Sequence, residues 1–384
     1  MRTICAMTAN RADFSRIETI LEALQKRSDV ELSLVVLGSH IMEQTGKTIE
    51  EIERKGFSIT EVVKSGRTGD TPADMAASVG SYIAELTKVL ERLSPDIALV
   101  PVDRFESLAM GTAAALMNIC VAHIQGGEVT GTVDESIRHA LTKLSHLHFV
   151  STEECRKRVI KMGEPKQFVF NVGCAGTDLL LRVTPLSREA TLQALNEGVA
   201  ETEKLDPKKP YLLFLQHPVT TEFGESAAQI TETLEALSGF DEQLVVLWPN
   251  IDAGSDAVSR ALKKYQTSSK RPFVIFKNIP SGLYANVLRN ASAMVGNSSS
   301  GIREACYFGT PVVNVGSRQN RRERGHNVTD ASYDRSAISK AVSNQLAHGT
   351  YKREDVYGDG KSGERVAELL ATAPLPPIQK VITY

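Results

Sequence analysis

Short runs of Val, Ile and Leu recur along the whole chain. They read ICAM (4–7), LSLVVLG (32–38), DIALVPV (96–102), CVAHI (120–124), LHFVS (147–151) and FVFNVG (168–173), then YLLFLQ (211–216), LVVLW (244–248), FVIFK (273–277), SAMVG (292–296) and PVVNVG (311–316). Runs this continuous suit strands covered on both faces, as in a parallel sheet, because a half-exposed strand alternates apolar with polar positions. The stretches between them are amphipathic. Ile17, Ile20, Leu21 and Leu24 keep the spacing of one helix face. Strand and helix in alternation predict a doubly wound α/β protein. A turn of small residues and a proline in CAGTDLLLRVTPLSREA (174–190), with a fresh helix after Ser187, marks a boundary. The expected organisation is a Rossmann-like domain over 1–178, a second over 179–365, and a helix end and tail over 366–384, the last helical pattern being SGERVAELLATA (362–373). The two domains are expected to face a central cleft.

Polar residues gather directly after the apolar runs. The clusters are TANRAD (8–13), GSH (38–40), DRFE (103–106), QGGEVTGTVDES (125–136), QHPVTT (216–221), PNIDAGS (249–255) and GNSSSG (296–301). In open α/β sheets, ligands bind outside the carboxyl ends of the strands. Polar turns are ordinary there, but that leaves His40, His123, His217 and the density of Arg, Asp and Glu unexplained. In GNSSSGIREA (296–305) a strand ends at Gly296 and a helix is expected over Ile302 to Phe308. Free N–H groups and serine hydroxyls there suit a phosphate; a simple serine N-cap is the plainer alternative. The loop lacks the lysine of a Walker motif, which argues against ATP hydrolysis. Glu304 is placed either to accept from ribose hydroxyls or merely to stabilise a helix start.

Arg11, Arg104 and Arg318 each follow a strand and suit phosphate oxygens, although any one of them also fits a surface ion pair. Asp103, Glu128 and Asp134 are carboxylates on neighbouring turns, as acid/base chemistry at a sugar carbon requires. Glu106 reads as a helix-start charge. His40 and His217 are candidates for proton transfer or pyrophosphate contact, against the commoner structural role of a lone histidine. His146 and His148 lack further ligand spacing, so no metal is expected. RQNRRERGH (318–326) reads as a solvated loop.

Composition removes classes rather than adding one. The 384 residues carry 44 Lys and Arg against 46 Asp and Glu, a net charge of -2. That excludes the basic footprint of a nucleic-acid binder, and one Trp with 6% aromatics argues against a base-stacking platform. Five cysteines lack CxxC spacing, and the four on or next to apolar runs read as buried thiols in a reducing compartment rather than a disulfide framework. The first residues have no signal-peptide core and no run is long enough for a membrane span, so a cytoplasmic location is expected.

NRADFS, GSH, DRFE, HIQGGEVTGTVDESIRHALTKLSH, LQHPVTT, PNIDAGS, GNSSSGIREA and GTPVVNVGSRQ together resemble the hydrolysing UDP-N-acetylglucosamine 2-epimerases of the branch feeding sialic-acid synthesis, from about residue 3 to about 360. The resemblance implies a glycosyltransferase-B fold of two Rossmann-like domains. It implies conversion of UDP-N-acetylglucosamine and water to N-acetylmannosamine and UDP, by anti elimination across carbons 1 and 2 and then syn hydration with inversion at carbon 2. Neither a nicotinamide nor any other cofactor is implied, nor a metal; the partners implied are the UDP-sugar and a second or further copies, as a homodimer or homotetramer. By motif, Arg11 and Ser15 would contact the diphosphate with Arg104 nearby, Ser298 and Ser299 the phosphates, Glu304 the ribose, His217 the pyrophosphate, and Asn250 the nucleotide. Asp103 and Asp134 fall on the family's catalytic carboxylates, and His40 would approach the sugar. Two departures stand out. Val102 replaces a common Gly, and Gln125 stands where many members carry a catalytic Glu, leaving Glu128 as the substitute. The resemblance extends to relatives acting on UDP-2,4-diacetamido-2,4,6-trideoxyglucose in legionaminic-acid synthesis. A glycosyltransferase of the same architecture, or a nucleotide-sugar binder without chemistry, would also fit these motifs.

Overall fold

All eleven apolar runs are strands in the computed structural model, which describes residues 1–41, 48–65, 72–129, 133–219, 222, 224–249, 255–269, 271–277 and 279–383. The chain divides into two units, one built from 1–129, 133–179 and 357–383, the other from Leu180–Val356. The first unit holds β1 (Arg2–Thr8), β2 (Val30–Val36), β3 (Glu61–Val62), β4 (Ile97–Pro101), β5 (Cys120–Ile124), β6 (Leu147–Val150) and β7 (Val169–Asn171), parallel and in the order β3-β2-β1-β4-β5-β6-β7. The second holds β8 (Tyr211–Leu215), β9 (Gln243–Leu247), β10 (Phe273–Phe276), β11 (Ala293–Gly296), β12 (Val312–Val315) and β13 (Val328–Ala331), parallel in the order β10-β9-β8-β11-β12-β13. Both are the doubly wound sheets expected. The two strands that apolar runs did not announce, β3 and β13, are edge strands. Their side chains are largely part-exposed or exposed, so unlike the edge strand β10 (FVIF) they carry no continuous apolar run.

β1 illustrates why the interior runs are unbroken. Ile4 and Ala6 face one core, with Ile17, Ile20, Leu21 and Leu24 of the helix Arg11–Gln25, while Cys5 and Met7 face another with Leu86, Leu90 and Met110. β8 repeats this, with Leu212 and Phe214 on one side and Tyr211 and Leu213 on the other. Each Ile, Leu, Met or Phe among them contributes about 1.5–3 kcal/mol by leaving water. Sheet order reverses between β1 and β4 in the first unit and between β8 and β11 in the second. Those are the switch points at which such sheets bind ligands.

The C-terminal segment departs from the expected limits at 365 and 366. The helix Ser362–Thr372 belongs to the first unit, where Val366, Ala367 and Leu370 enter the core beside Ile17 and Leu21. The Gly363 N–H donates to Asp178 Oδ2 at 2.7 Å, and Arg2 caps the helix end through the Leu370 and Ala373 carbonyls at 2.8 and 2.9 Å. Beyond it Lys380 reaches Glu164 at 2.6 Å. Burial opposes the Glu164 charge, yet His148, Lys143 and Lys380 outweigh it and hold the pKa near 2. His146 binds the Ile378 carbonyl of the tail at 3.1 Å, and His148 binds Glu164, the partner of Lys380, at 3.1 Å. All five cysteines are buried and none forms a disulfide. Among the described residues no helix is long and apolar enough to cross a membrane.

Candidate active site

The turns leaving β1 and β4 carry charge into the first switch point. Asn10 caps the helix Arg11–Gln25: its Oδ1 accepts the Asp13 N–H at 2.9 Å, and its Nδ2 donates to Asp13 Oδ2 at 2.8 Å. Asp13 is buried, and burial raises its pKa to about 8, with Glu106 and Asp103 adding to the rise and Arg104 opposing it. After β4, Val102 takes φ +51°, a costly conformation for a β-branched residue. Its N–H donates to the Ile124 carbonyl at 3.1 Å and its own carbonyl accepts from His123 Nε2 at 2.6 Å, which locks the turn. A carbonyl only accepts, so the His123 proton sits on Nε2. Burial keeps that ring neutral, lowering its pKa to about 3.

The locked turn presents Asp103 and Arg104. Asp103 pairs with Arg138, a buried residue of the helix Val133–Leu144 that also donates to the Glu128 carbonyl at 2.9 Å. Arg104 Nε lies 3.5 Å from Glu106 Oε2. Burial works against the Arg104 charge, but Glu106, Asp13, Asp134 and Asp103 outweigh it and hold the guanidinium protonated more firmly than usual. Glu106 is the helix-start charge expected, in the first turn of the helix Phe105–Leu116, but a buried one: it is 4% exposed, its Oε2 has no hydrogen bond, and burial raises its pKa against the pull of Arg104. In the first unit the charges of Glu106, Asp13, Asp134 and Asp103 thus all act on one arginine. Such a cluster is suited to taking up and returning protons beside an anionic leaving group.

Other expected residues lie differently. His40 Nε2 is 2.9 Å from the Thr8 hydroxyl and Nδ1 is 2.7 Å from that of Thr48. Both nitrogens are engaged, and burial lowers the pKa to about 4, so moving a proton through His40 requires breaking one of these bonds. Arg11 is exposed, its Nε 3.6 Å from Glu51 Oε2, and half-buried Ser15 follows one turn later on the same helix. Gln125 has φ +65°, is buried, and donates from Nε2 to Cys174 Sγ at 2.9 Å; Arg16 donates to the same sulfur at 3.1 Å. Glu128, the expected substitute, is buried and accepts from the Ser151 hydroxyl at 3.0 Å, next to the end of β6.

The second switch point is built from amides and hydroxyls. Asn297 joins the ends of β8 and β11: its Oδ1 accepts the His217 N–H at 2.7 Å and its Nδ2 donates to the His217 carbonyl at 2.9 Å. Its own carbonyl accepts from Arg318 Nη1 at 3.2 Å and Gln319 Nε2 at 2.9 Å. Gly296 precedes it at φ +131°, where a Cβ would stand 2.1 Å from the Leu215 carbonyl oxygen. Burial, helped by Arg318, lowers the His217 pKa to about 3, so the ring is a neutral partner. Ser298 is an N-cap whose hydroxyl accepts the Ser300 N–H at 3.3 Å, and Ser299 opens the helix. The helix expected over 302–308 is two short pieces, Ser299–Arg303 and Ala305–Phe308, broken at Glu304. A macrodipole from five residues is small, so any phosphate here relies on individual N–H and O–H donors. Asn250 lies outside the described residues.

Asp13, Arg138 and Asn297 escaped the sequence reading. Asp13 had a signal in the cap spacing Asn10 to Asp13, and Asn297 one in the turn after Gly296; Arg138 had none, since a helix arginine looks solvated until its partner is known. Among the described residues, no three His, Cys, Asp or Glu side chains converge as a metal set.

Comparison with known proteins bears on this geometry. A family model described as UDP-N-acetylglucosamine 2-epimerase matches residues 22–371. The UDP-N,N'-diacetylbacillosamine 2-epimerase (hydrolyzing) of Legionella pneumophila is 37% identical, covering 98% of this chain and 97% of its own length. The UDP-N-acetylglucosamine 2-epimerase of Neisseria meningitidis serogroup B is 34% identical over 96% of this chain and 95% of its own. The solved Neisseria meningitidis UDP-GlcNAc 2-epimerase bound to UDP-GlcNAc has a TM-score of 0.77 at 16% identity, covering 96% of this chain and 99% of that one. The Methanocaldococcus jannaschii enzyme in complex with UDP-GlcNAc and UDP has 0.75 at 19%, with the same coverage. The structural likeness is one of fold, two Rossmann-like units each on a parallel sheet. Together with the near full-length sequence matches, it places the chain in the UDP-N-acetylglucosamine 2-epimerase family.

Proposed function

We propose that this enzyme is a hydrolysing 2-epimerase of a UDP-2-acetamido sugar, converting UDP-N-acetylglucosamine and water to N-acetylmannosamine and UDP. The observation that carries the reading is the cluster of Asp103, Asp134, Asp13 and Glu106 around Arg104 at the first switch point. In this reading a carboxylate removes the carbon-2 proton while the carbon-1 oxygen bond breaks and UDP leaves, giving a glycal. Water then adds at carbon 1 and a proton returns to carbon 2 on the opposite face. Asp103, oriented by Arg138, and Asp134 share the proton transfers and the activation of water. Arg104, with exposed Arg11 and with Ser15 beside it, meets the departing diphosphate. Protonated Asp13 lightens the negative charge that this diphosphate must approach. Arg318, His217, Ser298 and Ser299 serve the nucleotide phosphates, Glu304 its ribose, and Asn250 the nucleotide. His40 and Gln125 shape the first site through their hydrogen bonds, and Glu128 supports it from the β6 side.

A second reading, the same reaction on UDP-2,4-diacetamido-2,4,6-trideoxyglucose, is favoured by the name of the 37% identical Legionella relative. Proton NMR of the product made in deuterated water from each UDP-sugar separates the two. The expected product has the manno configuration with deuterium at carbon 2. Release of UDP only with an added acceptor, or a gluco product without deuterium, overturns both readings; UDP bound with no product leaves a binder without chemistry.

A further inference from the structure

Glu304 occupies the break between the helices Ser299–Arg303 and Ala305–Phe308, with φ -108° and ψ -39°. Residues 303 and 305 on either side are buried, whereas Glu304 itself is part-exposed. Its Oε2 accepts the Ser300 hydroxyl at 2.7 Å, and Ser300 Oγ lies 2.6 Å from the Tyr284 hydroxyl on the helix Ser281–Asn290. A serine has one hydroxyl proton and a carboxylate only accepts. The Ser300 proton therefore goes to Glu304, and Tyr284 must donate to Ser300. The chain has one direction, Tyr284 to Ser300 to Glu304, and ends on a charge, which makes its last bond a strong one. Burial, then the Glu304 charge, raises the Tyr284 pKa and keeps the phenol a donor. Among the described residues no donor meets Glu304 Oε1.

We infer that Tyr284 and Ser300 are positioning residues that pin Glu304 by one oxygen so that the other accepts the vicinal hydroxyls of a nucleotide's ribose, setting a preference for ribo- over deoxy-ligands. The inference rests on the reading of this unit as the nucleotide-binding one. An unpinned glutamate must be ordered when the ligand binds, at a cost in affinity. A pinned one is ready, and it discriminates because a ligand lacking the hydroxyls leaves the acceptor without a partner.

The test is calorimetric titration of the full chain with UDP and with 2′,3′-dideoxy-UDP. The unaltered protein is expected to prefer UDP by about 10-fold or more. Tyr284→Phe, which keeps the ring, and Ser300→Ala each cut that preference by about 3- to 10-fold through weaker UDP binding alone. Ser300→Thr keeps the hydroxyl and retains the preference. Glu304→Ala abolishes it. If Glu304→Ala leaves the preference intact, the ribose role of Glu304 fails and the inference with it. If Glu304→Ala abolishes the preference but Tyr284→Phe and Ser300→Ala do not reduce it, the positioning chain alone fails. Equal weakening of both ligands in Tyr284→Phe marks a structural role and also overturns it.

Discussion

At the end of β4 the backbone turns left-handed on Val102 at φ +51°, while at the end of β11 it does so on Gly296 at φ +131°. The first turn tolerates a β-branched residue because His123 and Ile124 hold it by hydrogen bonds from both sides. The second admits no Cβ, since the Leu215 carbonyl fills the space. The residues after each turn differ as much. Beyond Val102 come Asp103 and Arg104, members of a partly buried charge cluster. Beyond Gly296 come Asn297, Ser298 and Ser299, neutral groups that bridge strands and cap a short helix. Two sheets of one topology are thus armed for different work. A site that moves protons needs carboxylates whose ionisation is tuned by burial and neighbours. A site that holds phosphate needs donors, and carboxylates close by would repel it.

Asp134→Asn tests this division most severely. It is expected to lower turnover about 10³-fold while leaving UDP affinity within about twofold, measured by UDP release and by titration. A parallel loss of affinity would dissolve the distinction between the two sites. Next comes the pH dependence of stability. Asp13 has a folded pKa of about 8 against an ordinary 3.8. Between those values the folded chain keeps a proton that the unfolded chain has lost, so stability declines as pH rises through this window and levels off above it. Asp13→Asn should remove this decline, a difference of a few kcal/mol (~1.4 per pH unit at most) between urea unfolding at pH 5 and at pH 8. His217 acts with the opposite sign. Its folded pKa of about 3 lies below the ordinary 6.5, so stability is lost as pH falls from about 6.5 towards 3. His217→Gln should flatten that acid limb; an unchanged slope would mean that the ring is not held neutral. Gly296→Ala should cost about 2 kcal/mol or more in the second unit, read from thermal or urea unfolding. Val102→Gly carries the smallest effect, a gain of no more than about 1 kcal/mol, because relief of strain is offset by a more flexible unfolded chain. A large loss there would mean the Val102 side chain itself supports the turn.

Much of the architecture was legible in the order of residues alone. Strands of a parallel sheet are largely covered on both faces, so eleven announced themselves as apolar runs, and the helix expected after Ser187 begins there, with Ser187 as its cap. β3 and β13 were silent because their side chains are largely part-exposed or exposed, which relaxes the apolar pattern. The helix Ser362–Thr372 declared an apolar face but not its partner, and the core against the helix Arg11–Gln25 decided that. The site was legible as motifs and not as states. His40 was legible only as open between proton transfer, pyrophosphate contact and a structural role, and the tertiary structure puts Thr8 and Thr48 on its two nitrogens. Glu106 was legible as a helix-start charge, but not its burial against Arg104.

By itself, then, the sequence determined the period of the elements, the caps and turns that bound them, and the family motifs at the strand ends. All of these depend on neighbours a few positions apart. Only the tertiary structure decided which charges are paired and which groups hold protons. Desolvation and Coulomb energy depend on what surrounds a group in space: Glu106 acts on Asp13, and Arg138 pairs with Asp103, across long stretches of chain.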